Sequence, residues 1–302
     1  MESSVLRRPL PLPELIQLGL IALLLLLAGA AWALTGENMS GMDAGPGTDL
    51  GSLSWFLSVW VVMMAAMMFP SIAPMVLMFV RIQEGRRERG AALPAGQTAL
   101  FVGGYLLSWA AAGLAAYLVF RLGRALAGDA FAWDAAGPYL AGGVIAAAAA
   151  YQLTPLKDVC LRHCRSPLMF LLHHFRSGRL GALRMGAEHG AFCVGCCWML
   201  MAALFALGVM SLGWMAFIAA LIAIEKLLRW RLVANRGIAA LLLALGLGVA
   251  FAPSSVPGLT EPGSPAARQA MEAMGMDQGG TSGSGGAMEG PGAGGEMGSG
   301  MP

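Results

Sequence analysis

Apolar runs alternate with short polar segments along most of the chain. About 20 apolar residues allow one helix to cross a bilayer. The runs lie near residues 16–34, 53–80, 97–122, 139–153, 189–209, 214–224 and 237–252. The pattern therefore predicts an all-α fold, a polytopic transmembrane bundle of about seven helices.

Basic residues between the runs predict the orientation of the bundle. Arg and Lys precede the first run and follow the second, fourth and sixth runs. Since cytoplasmic loops carry an excess of Lys and Arg, the N-terminus is expected in the cytoplasm and the C-terminus outside. The first run could instead be a signal peptide, but its length favours a retained helix. The tight turn at residues 210–213 leaves open whether helices five and six are separate spans or a re-entrant hairpin.

The pattern also divides the chain into three parts. Residues 1–51 form an N-terminal transmembrane helix and an outer loop, and residues 52–252 form the main helix bundle. Residues 253–302 are rich in Gly, Ser, Pro and Met. Such a segment cannot bury enough apolar surface to fold, so this tail is predicted to be disordered.

Composition supports a membrane protein. The chain is 57% hydrophobic and only 12% charged, whereas soluble proteins carry about 25% charged residues. The lipid bilayer is therefore an expected partner. The net charge of +2 and the lack of a basic patch interleaved with aromatic residues argue against nucleic-acid binding. The odd number of cysteines, five, argues against a secreted disulfide framework.

Three of the five cysteines lie in one motif that begins at His189. Cys193 and Cys196 are three residues apart, and His189 and Cys197 are each four residues from Cys193. In a helix, side chains at these spacings share one face. Thiolates and imidazoles arranged in this way can chelate Cu(I) or Zn(II). All four side chains are therefore candidate metal ligands.

The other two cysteines lie in the basic segment that leads into helix five. They are Cys160 and Cys164, with His163 between them. The segment is predicted to be a cytoplasmic loop with a short interfacial amphipathic helix at Phe170–Phe175. Its return into helix five allows the two cysteine groups to meet. We therefore expect Cys160, His163 and Cys164 to be co-ligands at the cytoplasmic end of that helix.

Methionines form a stripe on helix two. Met64, Met68 and Met75 lie on one stripe at helical spacing, and Met67 lies beside it. Pro70 and Pro74 should kink the helix. Thioethers are ligands of Cu(I), although the same stripe would also serve as a packing face. With the methionines of the tail outside, the ligands would run from thioether to thiolate across the membrane. That order suggests inward movement of the ion.

Several motifs together resemble a known family. They are the segments Trp60–Pro74, Tyr151–Lys157, Cys160–Pro167 and Gly181–Trp198. These segments look like the bacterial family of predicted metal-binding integral membrane proteins, some of whose members are labelled copper chaperones. The resemblance covers about residues 52–226 and implies metal binding in the bacterial inner membrane.

The residues and the resemblance predict a membrane protein that binds a soft metal for handling or transport. Cu(I) is the expected ion and Zn(II) the alternative, with a copper chaperone or cuproprotein as partner. The chain has no Gly-rich phosphate loop, nucleophile elbow or His-Glu-x-x-His motif, so it is not expected to be an enzyme. Two other hypotheses stay open. One is a membrane thiol–disulfide oxidoreductase that uses Cys193 and Cys196, and the other is a membrane subunit with a structural metal.

Overall fold

The chain folds into an assembly of α-helices. The structure, a computed structural model, describes residues 12–39, 43, 45–46, 50–90, 95–127, 133, 136–228 and 230–273. Within these residues there are ten α-helices and no strand, which confirms the all-α prediction. The helices are α1 Leu12–Met39, α2 Leu53–Glu88, α3 Gln97–Ala127, α4 Gly137–Tyr151, α5 Pro155–Arg165, α6 Pro167–His174, α7 Gly178–Leu207, α8 Leu212–Leu227, α9 Arg231–Phe251 and α10 Pro265–Ala273.

Five of the described helices, α1, α2, α3, α7 and α9, are long and apolar enough to cross a membrane. A sixth span is counted if α4 and α5, which are bent by 67° relative to each other, form one broken span. Helix α4 has 15 residues and α8 has 16. At about 1.5 Å per residue, each is shorter than the hydrocarbon core of about 30 Å. The seven apolar runs are thus helical, but two of them form helices too short to be straight spans.

Helix α2 continues through two prolines, Pro70 and Pro74. Because Pro70 has no N–H, the carbonyl of Ala66 lacks its usual partner four residues ahead. The indole N–H of Trp32 on α1 donates to that carbonyl at 3.1 Å. The carbonyl that the proline leaves without a partner is therefore satisfied by a neighbouring helix, and the bond fixes α1 against α2.

Small residues allow α7 to pack closely at the centre of the bundle. A Cβ atom at Gly104 of α3 would overlap the backbone of α7, and one at Gly186 of α7 would overlap the backbone of α3. Helices α4 and α9 approach each other in the same way at Gly142 and Gly246. Small residues at such crossings are typical of membrane helix pairs. Helix α7 also packs against α4, α5 and α8, so the helix that carries three cysteines is surrounded by others.

Helix α7 begins at Gly178, well before the predicted start near His189. Its first turns are amphipathic. The exposed Arg184 pairs with Glu188, four residues later, at 3.2 Å, while Met185 is buried. Charged side chains on one face lower the mean hydropathy of this stretch, which is why the apolar pattern placed the start too late.

The basic segment is folded into α5, where a loop was predicted, and α6, close to the predicted short interfacial helix. The hydroxyl of Thr154 accepts a hydrogen bond from the N–H of Lys157 at 3.3 Å and caps α5. Pro155 and Pro167 occupy the first turns of the two helices, where an N–H has no helical partner anyway. Helix α5 packs on α7 and α8, and α6 packs on α2. The segment is therefore part of the bundle.

Part of the tail predicted to be disordered is also folded. A short 3-10 turn and α10 occupy it, and two alanines of α10 are buried. The carbonyl of Gly258 accepts a hydrogen bond from the indole N–H of Trp214 at 3.0 Å. These contacts hold residues 253–273 against the helix bundle. The disorder prediction therefore does not hold for them. Residues 274–302, with most of the methionines of the tail, lie outside the described residues.

Candidate metal centre

Three cysteine sulfurs from two helices form a compact group inside the bundle. The sulfurs of Cys164 on α5 and of Cys193 and Cys196 on α7 lie within 4.8 Å of one another. Those of Cys164 and Cys196 are 3.8 Å apart. Cys193 and Cys196 are each only 1% exposed, and Cys164 is half-buried. This three-sulfur group unites two cysteines of the motif that begins at His189 with one cysteine of the basic segment before it.

The three-sulfur group lies deep between the helices rather than at a helix end. Cys193 is near the middle of α7, about 20 Å from either end at about 1.5 Å per residue. The helix start predicted near His189 is wrong, because α7 starts at Gly178, so these thiols do not lie at the end of the helix. Cys164 joins these two thiols because α5 packs against α7.

The remaining two cysteines border the three-sulfur group. The Cys197 sulfur is 3.3 Å from that of Cys196. The Cys160 sulfur packs against Gly195, where a Cβ atom would lie only 2.8 Å from it. Gly195 therefore provides the space that Cys160 occupies, one helical turn before Cys164 on α5. Both thiols lie beside the group without belonging to it.

Neither of the two histidines predicted as ligands belongs to the three-sulfur group. His189 is buried against the rings of Phe101 and Tyr105, with ring centroids 6.3 and 6.0 Å away. Its Nδ1 has no hydrogen-bond partner among the described residues. His163 is half-exposed and stacks on Phe192, with centroids 4.1 Å apart. Aromatic rings therefore hold both histidines near the thiols rather than among them.

The methionine stripe and the thiols meet at Lys226 of α8. Met64, Met67 and Met68 are all buried in α2, and the Met68 sulfur is 3.9 Å from the Lys226 ammonium. The same ammonium is 3.0 Å from the Cys193 sulfur. The sequence suggested the methionines and the cysteines at two different depths in the membrane. In the structure the Lys226 side chain contacts both a thioether and a thiol.

Two polar side chains beside Cys193 were not predicted from the sequence. The Lys226 ammonium donates to the Cys193 sulfur, and the Tyr105 hydroxyl lies 3.1 Å from that sulfur. A cation at this distance attracts the negative charge of a thiolate. The sequence feature that could have indicated Lys226 is its position next to an apolar run, since ionisable residues in membrane helices are usually functional.

A buried ion pair joins α5 to α8 beside the site. The Lys157 ammonium donates to both carboxylate oxygens of Glu225 at 2.8 Å, and the two side chains are 0% and 1% exposed. Lys157 and Cys164 are seven residues apart and share one face of α5. The pair therefore fixes the face that supplies Cys164. In the sequence Lys157 indicates only a basic segment, and its partner is 68 residues away.

The three-sulfur group has the size and the chemistry of a metal site. With metal–sulfur bonds of about 2.3 Å, two thiolates on one ion are at most about 4.6 Å apart. The sulfurs of Cys164 and Cys196, 3.8 Å apart, lie within that range. Thiolates are the donors that Cu(I) and Zn(II) prefer. Cys164, Cys193 and Cys196 therefore fit a soft metal ion.

Comparisons with known proteins cover the same region. A family model with the description "PpoB2: Copper chaperone" matches residues 57–249. The match extends from the start of α2 almost to the end of α9 and includes all five cysteines. No curated protein and no solved structure matches the chain.

Proposed function

Because the chain belongs to this copper chaperone family, we propose that it binds Cu(I) through Cys164, Cys193 and Cys196 and hands the ion to a partner protein. The three-sulfur group is the observation that carries the proposal. The five long apolar helices support a location in a membrane. We place it in the bacterial inner membrane, with the N-terminus in the cytoplasm and the C-terminus outside. The protein would act by binding and exchange, not by catalysis.

The number and type of ligands favour Cu(I) over Zn(II). Cu(I) prefers soft thiolates and is stable with two or three of them. A structural Zn(II) ion takes four ligands, whereas the three-sulfur group offers three. The Lys226 ammonium, 3.0 Å from the Cys193 sulfur, also repels a divalent cation about twice as strongly as a monovalent one.

Lys226 would balance the charge of the loaded site. Three thiolates and one Cu(I) carry two net negative charges, and buried charge is costly unless it is compensated. The ammonium offsets one of these charges, and the Tyr105 hydroxyl, 3.1 Å from the Cys193 sulfur, can donate a hydrogen bond. The surroundings of Cys193 thus suit an anionic metal–thiolate complex.

The division of the ligands between two helices provides a route for handing over the ion. Cys193 and Cys196 are on α7, which is packed closely against α3. Cys164 comes from α5, a separate helix of 11 residues. If Cys164 leaves, the ion keeps two thiolates, and a thiolate of a copper chaperone or cuproprotein can replace the lost ligand. Stepwise exchange of this kind never exposes a bare ion.

Anaerobic titration of the detergent-solubilised protein with Cu(I), in competition with a chromophoric chelator, tests the proposal. Cys164→Ser, Cys193→Ser and Cys196→Ser should each lower the Cu(I) affinity at least about tenfold, because each removes one ligand. X-ray absorption of the wild-type complex should show about three sulfur neighbours at about 2.3 Å.

Cys160→Ser is the matched control for these variants. It removes a thiol from the same helix as Cys164, but from outside the three-sulfur group, so the Cu(I) affinity should stay close to that of the wild type. Unchanged affinity in all three ligand variants would contradict the proposal, as would a coordination shell without sulfur.

A further inference from the structure

Three of the four histidines line one cavity outside the three-sulfur group. The cavity has a volume of about 330 Å³ and is formed by α5 and α6. His163 comes from α5, and His173 and His174 come from α6, together with the thioether of Met169. We call it the histidine cavity. Imidazole and thioether are both ligands that bind copper.

The three imidazoles are held in the way that metal-ligating histidines usually are. The Nδ1 atoms of His163, His173 and His174 lie 2.9, 2.8 and 3.1 Å from the backbone carbonyl oxygen four residues earlier. Since a carbonyl oxygen can only accept, each Nδ1 carries the proton. The Nε2 of each ring is therefore the nitrogen left for another partner. In metal sites the ring nitrogen that does not bind the ion typically makes such a hydrogen bond.

The spacing of two of these rings suits one shared ion. The ring centroids of His163 and His174 are 6.4 Å apart. With metal–nitrogen bonds of about 2.0 Å, two imidazoles on opposite sides of one ion have centroids about 6 Å apart. Met169 is exposed, and its flexible side chain can supply a third ligand from the same cavity.

Two phenylalanines separate the histidine cavity from the buried thiols. Phe170 lines the cavity, and its ring meets that of His189 edge-on, with centroids 5.1 Å apart. Phe192 stacks on His163 at 4.1 Å and is the residue before Cys193 in α7. The cavity is therefore one layer of aromatic rings away from the helix segment that carries the thiols.

We propose that the histidine cavity is a second metal site, where His163 and His174 hold Cu(I) as it passes between solution and the three-sulfur group. The choice of Cu(I) rests on the function proposed above, whereas the ligand geometry does not. Neutral imidazoles bind Cu(I) more weakly than thiolates do, so an ion held there can be passed on to the cysteines. The transfer is an exchange of ligands, and the ion stays monovalent throughout.

A phosphate group is the other ligand class against which the cavity has to be tested. Arg162 also lines the cavity, and arginine is a common ligand of phosphate. However, the Arg162 Nε donates to the carbonyl of Asp158 at 3.3 Å, along its own helix. The imidazole nitrogens and the thioether that line the cavity are metal ligands, so they favour a cation over an anion.

A thiol-free variant, with all five cysteines replaced by serine, isolates the histidine cavity from the three-sulfur group. Titrated anaerobically with Cu(I), it should bind about one ion per chain, with nitrogen neighbours at about 2.0 Å in X-ray absorption. Adding His163→Phe and His174→Phe, which keep aromatic rings but remove the nitrogens, should weaken binding at least about tenfold. Leu172→Ala, exposed on the same helix as His174, is the control and should change nothing.

A second measurement uses the protein with its cysteines intact. There the His163→Phe/His174→Phe pair should slow the filling of the three-sulfur group by Cu(I) without changing its final copper content. An unchanged filling rate would overturn the proposal even if the thiol-free variant did not fold.

Other outcomes also decide the question. If the thiol-free variant folds and binds no Cu(I), or binds it equally well with both phenylalanines, the second site does not exist. Inorganic phosphate that binds the wild type, is lost in Arg162→Gln and leaves Cu(I) binding independent of the histidines would identify a phosphate site instead. If X-ray absorption of the wild type still shows about three sulfur neighbours, the function proposed for the three-sulfur group stands.

Discussion

Among single residues, Lys226 has the most direct electrostatic effect on the three-sulfur group. Its ammonium is 3.0 Å from the Cys193 sulfur. Lys226→Met removes the cation but keeps a long side chain. Since a hydrogen bond to a charged group contributes about 1.5–3 kcal/mol, we expect the Cu(I) affinity to fall about tenfold or more in a chelator-competition titration. Lys226→Arg keeps the charge and should lose much less; equal affinities for the Met variant and the wild type would refute the role of the cation.

The residue scale also shows how far local sequence reasoning extends. Cys193 and Cys196 could be grouped from their spacing alone, because helical periodicity places neighbours three and four residues apart on one face. Lys226, which contacts Cys193, lies in another helix 33 residues later. That contact depends on how α7 and α8 pack, so the pattern of residues along the chain cannot predict it.

At the scale of the helices, the bond between α1 and α2 compensates for a proline. Trp32→Phe would leave the buried carbonyl of Ala66 without a donor, at a cost of about 1–3 kcal/mol in the free energy of unfolding. In a Pro70→Ala background the helix N–H is restored, so the same substitution should cost much less. Chemical unfolding of the four proteins of this double-mutant cycle in detergent measures the difference. Equal costs in both backgrounds would show that the indole does not replace the missing N–H.

The crossing of α3 and α7 gives a second test at this scale, with two adjacent glycines. A Cβ atom at Gly104 would overlap the backbone of α7, whereas one at Gly103 meets nothing within 4 Å. Gly104→Ala should therefore destabilise the fold by about 1–3 kcal/mol, as overpacking does, and should displace the thiols of α7. Gly103→Ala should leave the unfolding midpoint unchanged or raise it, since alanine is the better helix former. Equal midpoints for the two variants would mean that the close approach is not needed.

The helices differ in how well their limits could be predicted. The long apolar runs of α1, α2, α3 and α9 indicate membrane-crossing helices directly, because nearly every position is apolar. Helix α5 and the first turns of α7 are amphipathic, with charged residues on one side. Averaged hydropathy makes such stretches look like loops. As a result, the thiols were expected at a helix end instead of in the middle of α7.

For the whole molecule, the sequence was sufficient for the class of fold and for the clustering of cysteines, but not for the selection of ligands. Five thiols, two histidines and three methionines were candidates, and the structure brings three sulfurs into one group. The selection depends on how α5 turns back along α7. That turn is fixed by contacts between residues far apart in sequence, above all the pair Lys157–Glu225.

The buried pair Lys157–Glu225 is therefore expected to control the stability of the whole bundle. Lys157→Met would leave the carboxylate of Glu225 buried without its partner, at a cost of about 3–5 kcal/mol. Lys157→Met/Glu225→Met should recover most of that loss, because replacing both charges with apolar groups removes the uncompensated one. Arg184→Met, which breaks the exposed pair with Glu188, is the control and should cost about 1 kcal/mol or less. Thermal unfolding in detergent measures all three, and a double variant as unstable as the single one would show that α5 needs the charges themselves to hold Cys164 in place.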